Sequence, residues 1–139
     1  MIINAENLIL GRLATYAAKQ VLLGEEVIVV NCEKAIITGN RKFIINKFLE
    51  KIQRGNPFKG PFYPRRSDMI VRRAIRGMLP RKKPRGRLAY KNVICYLGIP
   101  ESLKNEKIIT LENASINKLK TLKYLQLKEI SRILGKNSE

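Results

Sequence analysis

The first 31 residues predict a strand, a helix and a second strand. The opening run MIINA, at 1–5, is expected to form a short strand. EVIVVN, at 26–31, is a continuous β-branched run typical of a strand buried on both faces. Residues 11–24 between them have a helical period, and Gly24 is a plausible end of that helix. Its apolar residues share half of the helical wheel: Leu13, Ala14, Ala17, Ala18, Val21 and Leu22.

The pattern continues with a candidate short strand AIIT at 35–38 and a helix predicted over about 41–53, after a break at Gly39 and Asn40. NVICYLG, at 92–98, fits a later buried strand. Strands that alternate with helices in this rhythm predict an α/β fold, with a mostly parallel sheet and helices on both of its faces.

The C-terminal third predicts two further elements. KIITLEN, at 107–113, is a short edge strand or an extended connection. TLKYLQLKEISRILG, at 121–135, is predicted to be a helix, with Thr121 as its N-cap and Gly135 at its end.

The middle of the chain differs from its flanks in proline and glycine content. RGNPFKGPFYPRR, at 54–66, contains three prolines and two glycines, so we expect a bent loop. A helix is predicted to begin at Ser67 as N-cap, with Asp68 in its first turn, and to end at Pro80. A second basic loop is expected to follow. On this helix the apolar residues fall on one arc, and Arg72, Arg73 and Arg76 fall on the opposite arc; the apolar set is Ile70, Val71, Ala74, Ile75 and Met78.

Charge is concentrated in this same region. The chain of 139 residues has 28 basic and 11 acidic residues and a formal charge of +17. Residues 51–91 hold 14 of the basic residues and a single acid, Asp68, so net +13 falls in 41 residues. A charge of this size opposes compaction unless a polyanion neutralises it. Because core-like segments flank the run, it is not a solvated tail.

The sequence contains few of the residues and motifs that enzymes use for catalysis. There is no histidine, and neither common Gly-rich phosphate-binding motif occurs. Cys32 and Cys95 lack a neighbouring base, and two cysteines alone do not make an ordinary zinc site. We therefore predict no catalytic residue, no metal, no cofactor, no small-molecule substrate, and reduced cysteines as in the cytosol. No run of 18 apolar residues occurs and we predict no signal peptide.

Polyanion binding is the function that the composition favours. The irregular bends and dense arginines suit a folded RNA better than a regular duplex groove. Phe58, Phe62 and Tyr63 are candidates either to stack on bases or to pin the loop to the core. The predicted RNA-binding side chains are Arg54, Lys59, Arg65, Arg66, Arg72, Arg73, Arg76, Arg81, Lys82, Lys83, Arg85, Arg87 and Lys91.

Two smaller expectations concern backbone shape. The helix start at Gly39, Asn40, Arg41 and Lys42 is a candidate phosphate contact, although a structural turn is the favoured interpretation. Gly77 and Gly86 have no Cβ, so either could permit a positive φ or a close approach of the backbone to RNA.

The segment RGMLPRKKPRGRLAYKNVICYLGIPES, at 76–102, resembles the signature of the ribosomal protein L-thirteen family of the large ribosomal subunit. GRLA at 11–14 and ITGN at 37–40 are also similar to that family. RGNPFKGPFYPRRS, at 54–67, resembles its archaeal and eukaryotic branch, and the short chain favours the archaeal one.

The resemblance covers nearly the whole chain, 1–139, as one domain. It implies a three-layer α/β/α fold with about four mostly parallel strands and a basic loop-helix-loop insertion. It also implies a structural role in the cytoplasmic ribosome, early subunit assembly, and large-subunit ribosomal RNA and neighbouring ribosomal proteins as partners. The alternatives are a small RNA-modifying or nucleotide-using α/β enzyme, and a membrane-surface binder, which would need bulky apolar residues free to insert.

Overall fold

The computed structural model describes residues 1–135; the last four residues of the predicted domain lie outside the described residues. Four parallel strands form the main sheet in the order β4-β2-β1-β5, and β3 pairs with β6 in a separate antiparallel ribbon. The strands are β1 Ile2–Asn4, β2 Val27–Val30, β3 Ile36–Thr38, β4 Val93–Cys95, β5 Ile108–Ile109 and β6 Tyr124–Gln126. The helices are α1 Leu10–Leu22, α2 Arg41–Gln53, α3 Ser67–Gly77, α4 Pro84–Lys91 and α5 Leu127–Ile133.

The alternation of side chains along the strands divides the core in two. Ile3, Val27 and Val29 face the larger cluster, which includes the apolar faces of α1 and α3. Ile2 and Val30 face the opposite side, where they pack with Leu103 from the 3₁₀ turn Glu101–Leu103. The predicted α/β class and the parallel sheet of four strands are confirmed.

Several predicted elements coincide closely with the observed ones. The helix expected over about 41–53 is α2, Arg41–Gln53, and the Asn40 side chain accepts a hydrogen bond from the backbone N–H of Lys42 at 3.1 Å. The first helix ends at Leu22, just before Gly24, whose φ is +96°. KIITLEN contributes β5 at one edge of the sheet.

The prediction of one long C-terminal helix from Thr121 was wrong in its first half. Residues Tyr124–Gln126 form β6, in which Leu125 lies opposite Ile37 of β3. Pairing with a strand more than 80 residues away supplies the backbone partners that a helix would otherwise provide, and tertiary context overrides local propensity in such cases. Gln126 is therefore the N-cap of α5, and Gly135 follows its end with a φ of +88°.

The second basic loop is in fact largely helical. Pro84 occupies the first turn of α4, where its fixed φ suits a helix and its missing N–H is not needed. Gly86 and Ala89 are the buried residues of this helix. This helix was not predicted because it has only eight residues, and because its high charge, together with two prolines and a glycine in the segment, is typical of a loop.

The start and the apolar arc of α3 also differ from prediction in detail. Arg66, not Ser67, is the N-cap, and the hydroxyl of buried Ser67 donates a hydrogen bond to the carbonyl of Leu127 at 3.3 Å. Ile70, Val71 and Ile75 are buried as predicted, but Met78 is exposed because it is the C-cap residue, beyond the last helical turn.

Among residues 1–135, no helix is both long and apolar enough to cross a membrane. Within the same part of the chain, no three His, Cys, Asp or Glu side chains form a group that could hold a metal ion.

Ile75→Asp is expected to unfold the domain, because Ile75 is fully buried and the carboxylate would have no partner there. We expect the free energy of unfolding to fall by more than about 3 kcal/mol. Arg76→Gln on the next residue should change it by less than about 0.5 kcal/mol. Chemical denaturation followed by circular dichroism measures both, and similar losses for the two variants would contradict the packing of α3.

Candidate nucleic-acid interface

Helix α3 holds its arginines at the edge of the core. Ile70, Val71 and Ile75 anchor one face of the helix, which leaves Arg73 and Arg76 half-buried with their guanidinium groups toward the surface. Asp68 lies in the first turn, where a carboxylate suits the helix dipole. Since the anchor residues are buried in the core, packing sets the positions of the backbone that carries these two arginines.

Arg72 has a different environment from its two neighbours. Its guanidinium carbon lies 4.5 Å from the centroid of the Tyr90 ring, and its Nε is buried without a hydrogen-bond partner among the described residues. Arg72 thus ties α3 to α4 through a cation–π contact, which is a packing role that the helical wheel did not predict.

The turn between α3 and α4 is fixed by its own backbone. The N–H of Arg81 donates to the carbonyl of Leu79 at 2.8 Å, and the N–H of Lys83 donates to the carbonyl of Pro80 at 2.9 Å. The Arg87 side chain donates to the carbonyl of Arg81 at 3.2 Å. These contacts shape a cavity of about 450 Å³, which we call the basic hollow; its lining includes Arg73, Arg76, Arg81, Lys82 and Lys83 and, within residues 1–135, no carboxylate.

Gly86 allows this turn to close against α4. A Cβ at this position would lie 2.2 Å from the carbonyl oxygen of Pro80, whereas φ at Gly86 is not positive. Of the two roles expected for Gly86, a close approach is correct, but the approaching group is the protein's own backbone and not RNA. Gly77 differs, since a Cβ there would meet no heavy atom within 4 Å.

The loop at 54–66 is a compact bend, as predicted. Asn56 and Gly60 exchange two backbone hydrogen bonds, of 3.0 and 2.8 Å, and the Asn56 side chain accepts from the N–H of Phe58 at 2.9 Å. Gly55 has a φ of +88°, and a Cβ there would lie 2.1 Å from the carbonyl oxygen of Gly60. The loop therefore has no room for a larger residue at that point.

The three aromatic candidates differ in their burial and contacts. Phe58 and Phe62 are 92% and 72% exposed, so their rings are accessible to bases. Tyr63 packs edge-on against Phe48 with 6.0 Å between ring centroids. The Lys51 Nζ and the Arg73 Cζ lie 5.0 and 5.9 Å from the centroid of the Tyr63 ring. Tyr63 thus pins the loop to the core, and burial raises the pKa of its hydroxyl despite the opposing effect of Arg73.

The positive charge of residues 51–91 is left largely unneutralised. Arg54 pairs with Glu50 at 2.8 Å and Arg66 with Asp68 at 3.1 Å. Arg65 donates to the carbonyl of Leu134 at 3.3 Å. No other ion pair involving this segment occurs within residues 1–135. The basic side chains without a carboxylate partner there are Lys51, Lys59, Arg65, Arg72, Arg73, Arg76, Arg81, Lys82, Lys83, Arg85, Arg87 and Lys91.

The candidate phosphate contact at the start of α2 is occupied by the protein itself. Asn40 caps the N–H of Lys42, and the Arg41 guanidinium forms a 2.6 Å ion pair with Glu129 of α5. Gly39, with a φ of +131°, donates its N–H to the carbonyl of Lys123 at 3.0 Å. This geometry supports the structural-turn interpretation.

A second cavity was not predicted from the sequence. It has a volume of about 540 Å³, and we call it the apolar cleft; its lining includes Ile36, Ile44, Ile70, Phe43, Lys47, Lys51 and Arg73. Phe43 is 67% exposed although it belongs to α2. A helical wheel places Phe43 roughly opposite the apolar arc that Ile44, Phe48 and Leu49 share, so the pattern of α2 alone did not point to this cleft.

The cysteines have no features of a nucleophilic site. Both are free thiols, and Cys32 is buried. A hydrogen bond with Cys95, together with burial, raises the pKa of the Cys32 thiol above its ordinary range. A thiol held in its protonated form is a poor nucleophile.

Comparison with known proteins identifies the family. The family model of Ribosomal protein L13 matches residues 1–102. The chain belongs to the ribosomal protein L13 family. It is 49% identical over 136 residues to "Large ribosomal subunit protein uL13" of Methanopyrus kandleri, covering 96% of this chain and 86% of the relative. The protein of the same name from Methanococcus maripaludis is 49% identical over 139 residues, covering 97% of each chain. These archaeal relatives confirm the expected branch.

Two of the quoted L13 motifs lie at helix ends. GRLA opens α1, and RGMLP spans the end of α3 and the start of the fixed turn. The family match ends at residue 102, so β6 and α5 lie beyond it. Leu127 nevertheless packs in the main core, which joins this last segment to the L13-matched part.

Gly86→Ala is expected to lower the free energy of unfolding by about 1–3 kcal/mol, the range for overpacking, because the new methyl group would collide with the Pro80 carbonyl. Gly77→Ala is the matched control: its methyl group would enter open space, so stability should stay equal or rise by up to about 1 kcal/mol. Urea unfolding of both variants checks this, and equal stability would show that the turn does not close on Gly86.

Proposed function

We propose that this chain is a structural constituent of the large ribosomal subunit that binds large-subunit ribosomal RNA through residues 51–91 and supports early assembly of the subunit. It acts on the ribosome in the cytoplasm and is not an enzyme. Membership of the L13 family supports this role. Neighbouring large-subunit proteins are its other proposed partners, and residues 1–139 are proposed to be one domain.

The observation that carries the proposal is a set of cations without carboxylate partners, held on a turn and two helices that are packed and hydrogen-bonded. Five cations converge on the basic hollow, and no carboxylate from the part of the chain that the structure describes lines it. Arginine and lysine in such an arrangement attract phosphate groups, and release of counterions from the RNA supplies much of the affinity. The fixed turn means that few backbone bonds must be ordered when RNA binds, which lowers the entropic cost.

The proposed contacts are not all of one kind. Arg76, Arg81, Lys82 and Lys83 are proposed to bind phosphates directly, since they surround the hollow. Lys59, Arg85 and Lys91 are exposed and are proposed to act as further phosphate contacts. Arg72, through its contact with Tyr90, is proposed to hold α4 in place.

The exposed aromatic rings are a separate proposed element. Phe58 lies on the tightly bent loop that Asn56 and Gly60 close, and Phe62 lies beyond it, toward α3. Both rings are proposed to stack on unpaired bases, because covering a large solvent-exposed apolar ring with a base removes apolar surface from water, which is favourable.

Binding of full-length chain to transcribed large-subunit ribosomal RNA is expected to weaken steeply with salt. If about 6–10 phosphates are contacted, affinity should fall roughly 10³–10⁵-fold between about 50 and 200 mM salt, on the calibration for duplex DNA. Filter binding across this range measures the slope of log affinity against log salt concentration.

A matched pair of double variants localises the effect. Arg81→Gln with Lys82→Gln should make the slope of log affinity against log salt concentration less steep by about 2, because two phosphate contacts are lost. Lys104→Gln with Lys107→Gln removes the same charge from exposed sites outside the segment and should leave the slope unchanged. Equal slopes for the two double variants would count against binding through residues 51–91.

A further inference from the structure

Two helical glycines have no explanation within the protein. Gly11 lies in the first turn of α1 and Gly77 is the last residue of α3. Neither has a positive φ, and a Cβ at either position would meet no heavy atom within 4 Å. Neither backbone conformation nor packing therefore requires glycine at these two places.

Both glycines line the apolar cleft. The two helices meet there with α2, so Gly11 and Gly77 leave two bare backbone surfaces on the walls of one cavity. Its floor is formed by the buried side chains of Ile36, Ile44 and Ile70. A glycine on the wall of a cavity allows a ligand to approach the backbone more closely than any other residue would.

The rim of the cleft is positively charged. Lys47, Lys51 and Arg73 line it, and none of the described carboxylates does. Burial, together with the nearby charges of Lys47, Arg54 and Arg73, lowers the pKa of Lys51 below the ordinary lysine value of 10.5. Such repulsion is relieved when an anion binds beside the lysine.

The apolar cleft lies next to the basic hollow, because Arg73 and Gly77 line both cavities. An apolar slot with an exposed aromatic ring thus adjoins a cluster of cations. A nucleotide has the matching division, with a flat ring at one end and a phosphate at the other. An apolar peptide would fill the slot and leave the cations without partners.

We propose that the apolar cleft receives the base of an unpaired nucleotide of the bound RNA, with its phosphates on Lys51, Arg73 and the basic hollow. This rests on the proposed function and assigns it a specific pocket. The base packs on the isoleucine floor beside Phe43, and Gly11 and Gly77 make room for it. Most side chains of the described lining are apolar, and Thr38 and Tyr63 carry its hydroxyls, so shape and stacking are proposed to dominate the recognition over hydrogen bonds to the base.

The test blocks the cleft without changing charge. Gly77→Leu and Gly11→Leu would each place a side chain in the space that the base needs, and because the Cβ at either position meets no heavy atom within 4 Å, we expect both variants to fold, which circular dichroism checks. Asn46→Leu is the matched control, because it adds the same exposed leucine to α2 outside the cleft lining. Phe43→Ala is a fourth variant, which removes an exposed ring and so does not depend on the glycines.

The probes are transcribed large-subunit ribosomal RNA and an unrelated RNA of equal length. We expect Gly77→Leu, Gly11→Leu and Phe43→Ala to bind the ribosomal RNA about tenfold or more weakly than the unchanged chain, in line with the loss of one base-stacking contact. Binding to the unrelated RNA should change by less than about twofold, because the positive charge is intact. Asn46→Leu should bind both RNAs as the unchanged chain does.

Each other outcome contradicts a distinct claim. If the unchanged chain does not prefer the ribosomal RNA, the proposed function itself fails. If it does and the cleft variants bind equally well, only the nucleotide pocket is wrong. The cleft variants could also bind both RNAs as the unchanged chain does and yet fail to enter subunits reconstituted with total ribosomal protein. That result would assign the cleft to a protein segment and overturn the proposal.

Discussion

Burial of one face of α3 is the constraint on which the basic surface depends. Ile70, Val71 and Ile75 pack into the main core with α1 and the sheet. Each fully buried aliphatic side chain contributes about 1.5–3 kcal/mol. This burial opposes the mutual repulsion of the cations that the same helix carries. Without it, a segment with 14 basic residues and one acid would be expected to expand.

The elements around α3 are positioned by contacts with this packed helix. Arg72 stacks on Tyr90 and so positions α4, while Arg73 approaches Tyr63 and so positions the loop before α3. The turn from Leu79 to Lys83 closes on Gly86 through backbone contacts. Charged residues that would repel one another are therefore held at set separations by neighbours that are themselves packed. A surface of this kind can match the spacing of phosphates without first having to fold.

Much of the fold and part of the site could be predicted because their signals are local. The apolar period of α3 and the break at Gly39 and Asn40 are visible in a few residues. Helix α4 was missed because Pro84 and Gly86 resemble loop residues unless the first-turn position of the proline is known. Strand β6 was missed because its partner β3 is distant in the sequence.

The apolar cleft could not have been predicted for the same physical reason. Gly11, Phe43 and Gly77 lie on three different helices and come together only after those helices pack. Likewise, the separate roles of Arg72 and Arg76 depend on where Tyr90 lies and not on the helical wheel. Sequence pattern predicted which segment carries the charge, whereas the tertiary structure determines which charges remain free to bind.

Hydrogen exchange of the free protein tests most directly whether the basic surface is shaped before its partner binds. The informative amides are those of Lys83, which donates to Pro80, and Gly60, which donates to Asn56. Preorganisation predicts that both exchange much more slowly than unstructured amides in the absence of RNA, and that RNA adds little further protection. Exchange at the unstructured rate in the free chain, with protection appearing only when RNA is added, would contradict it.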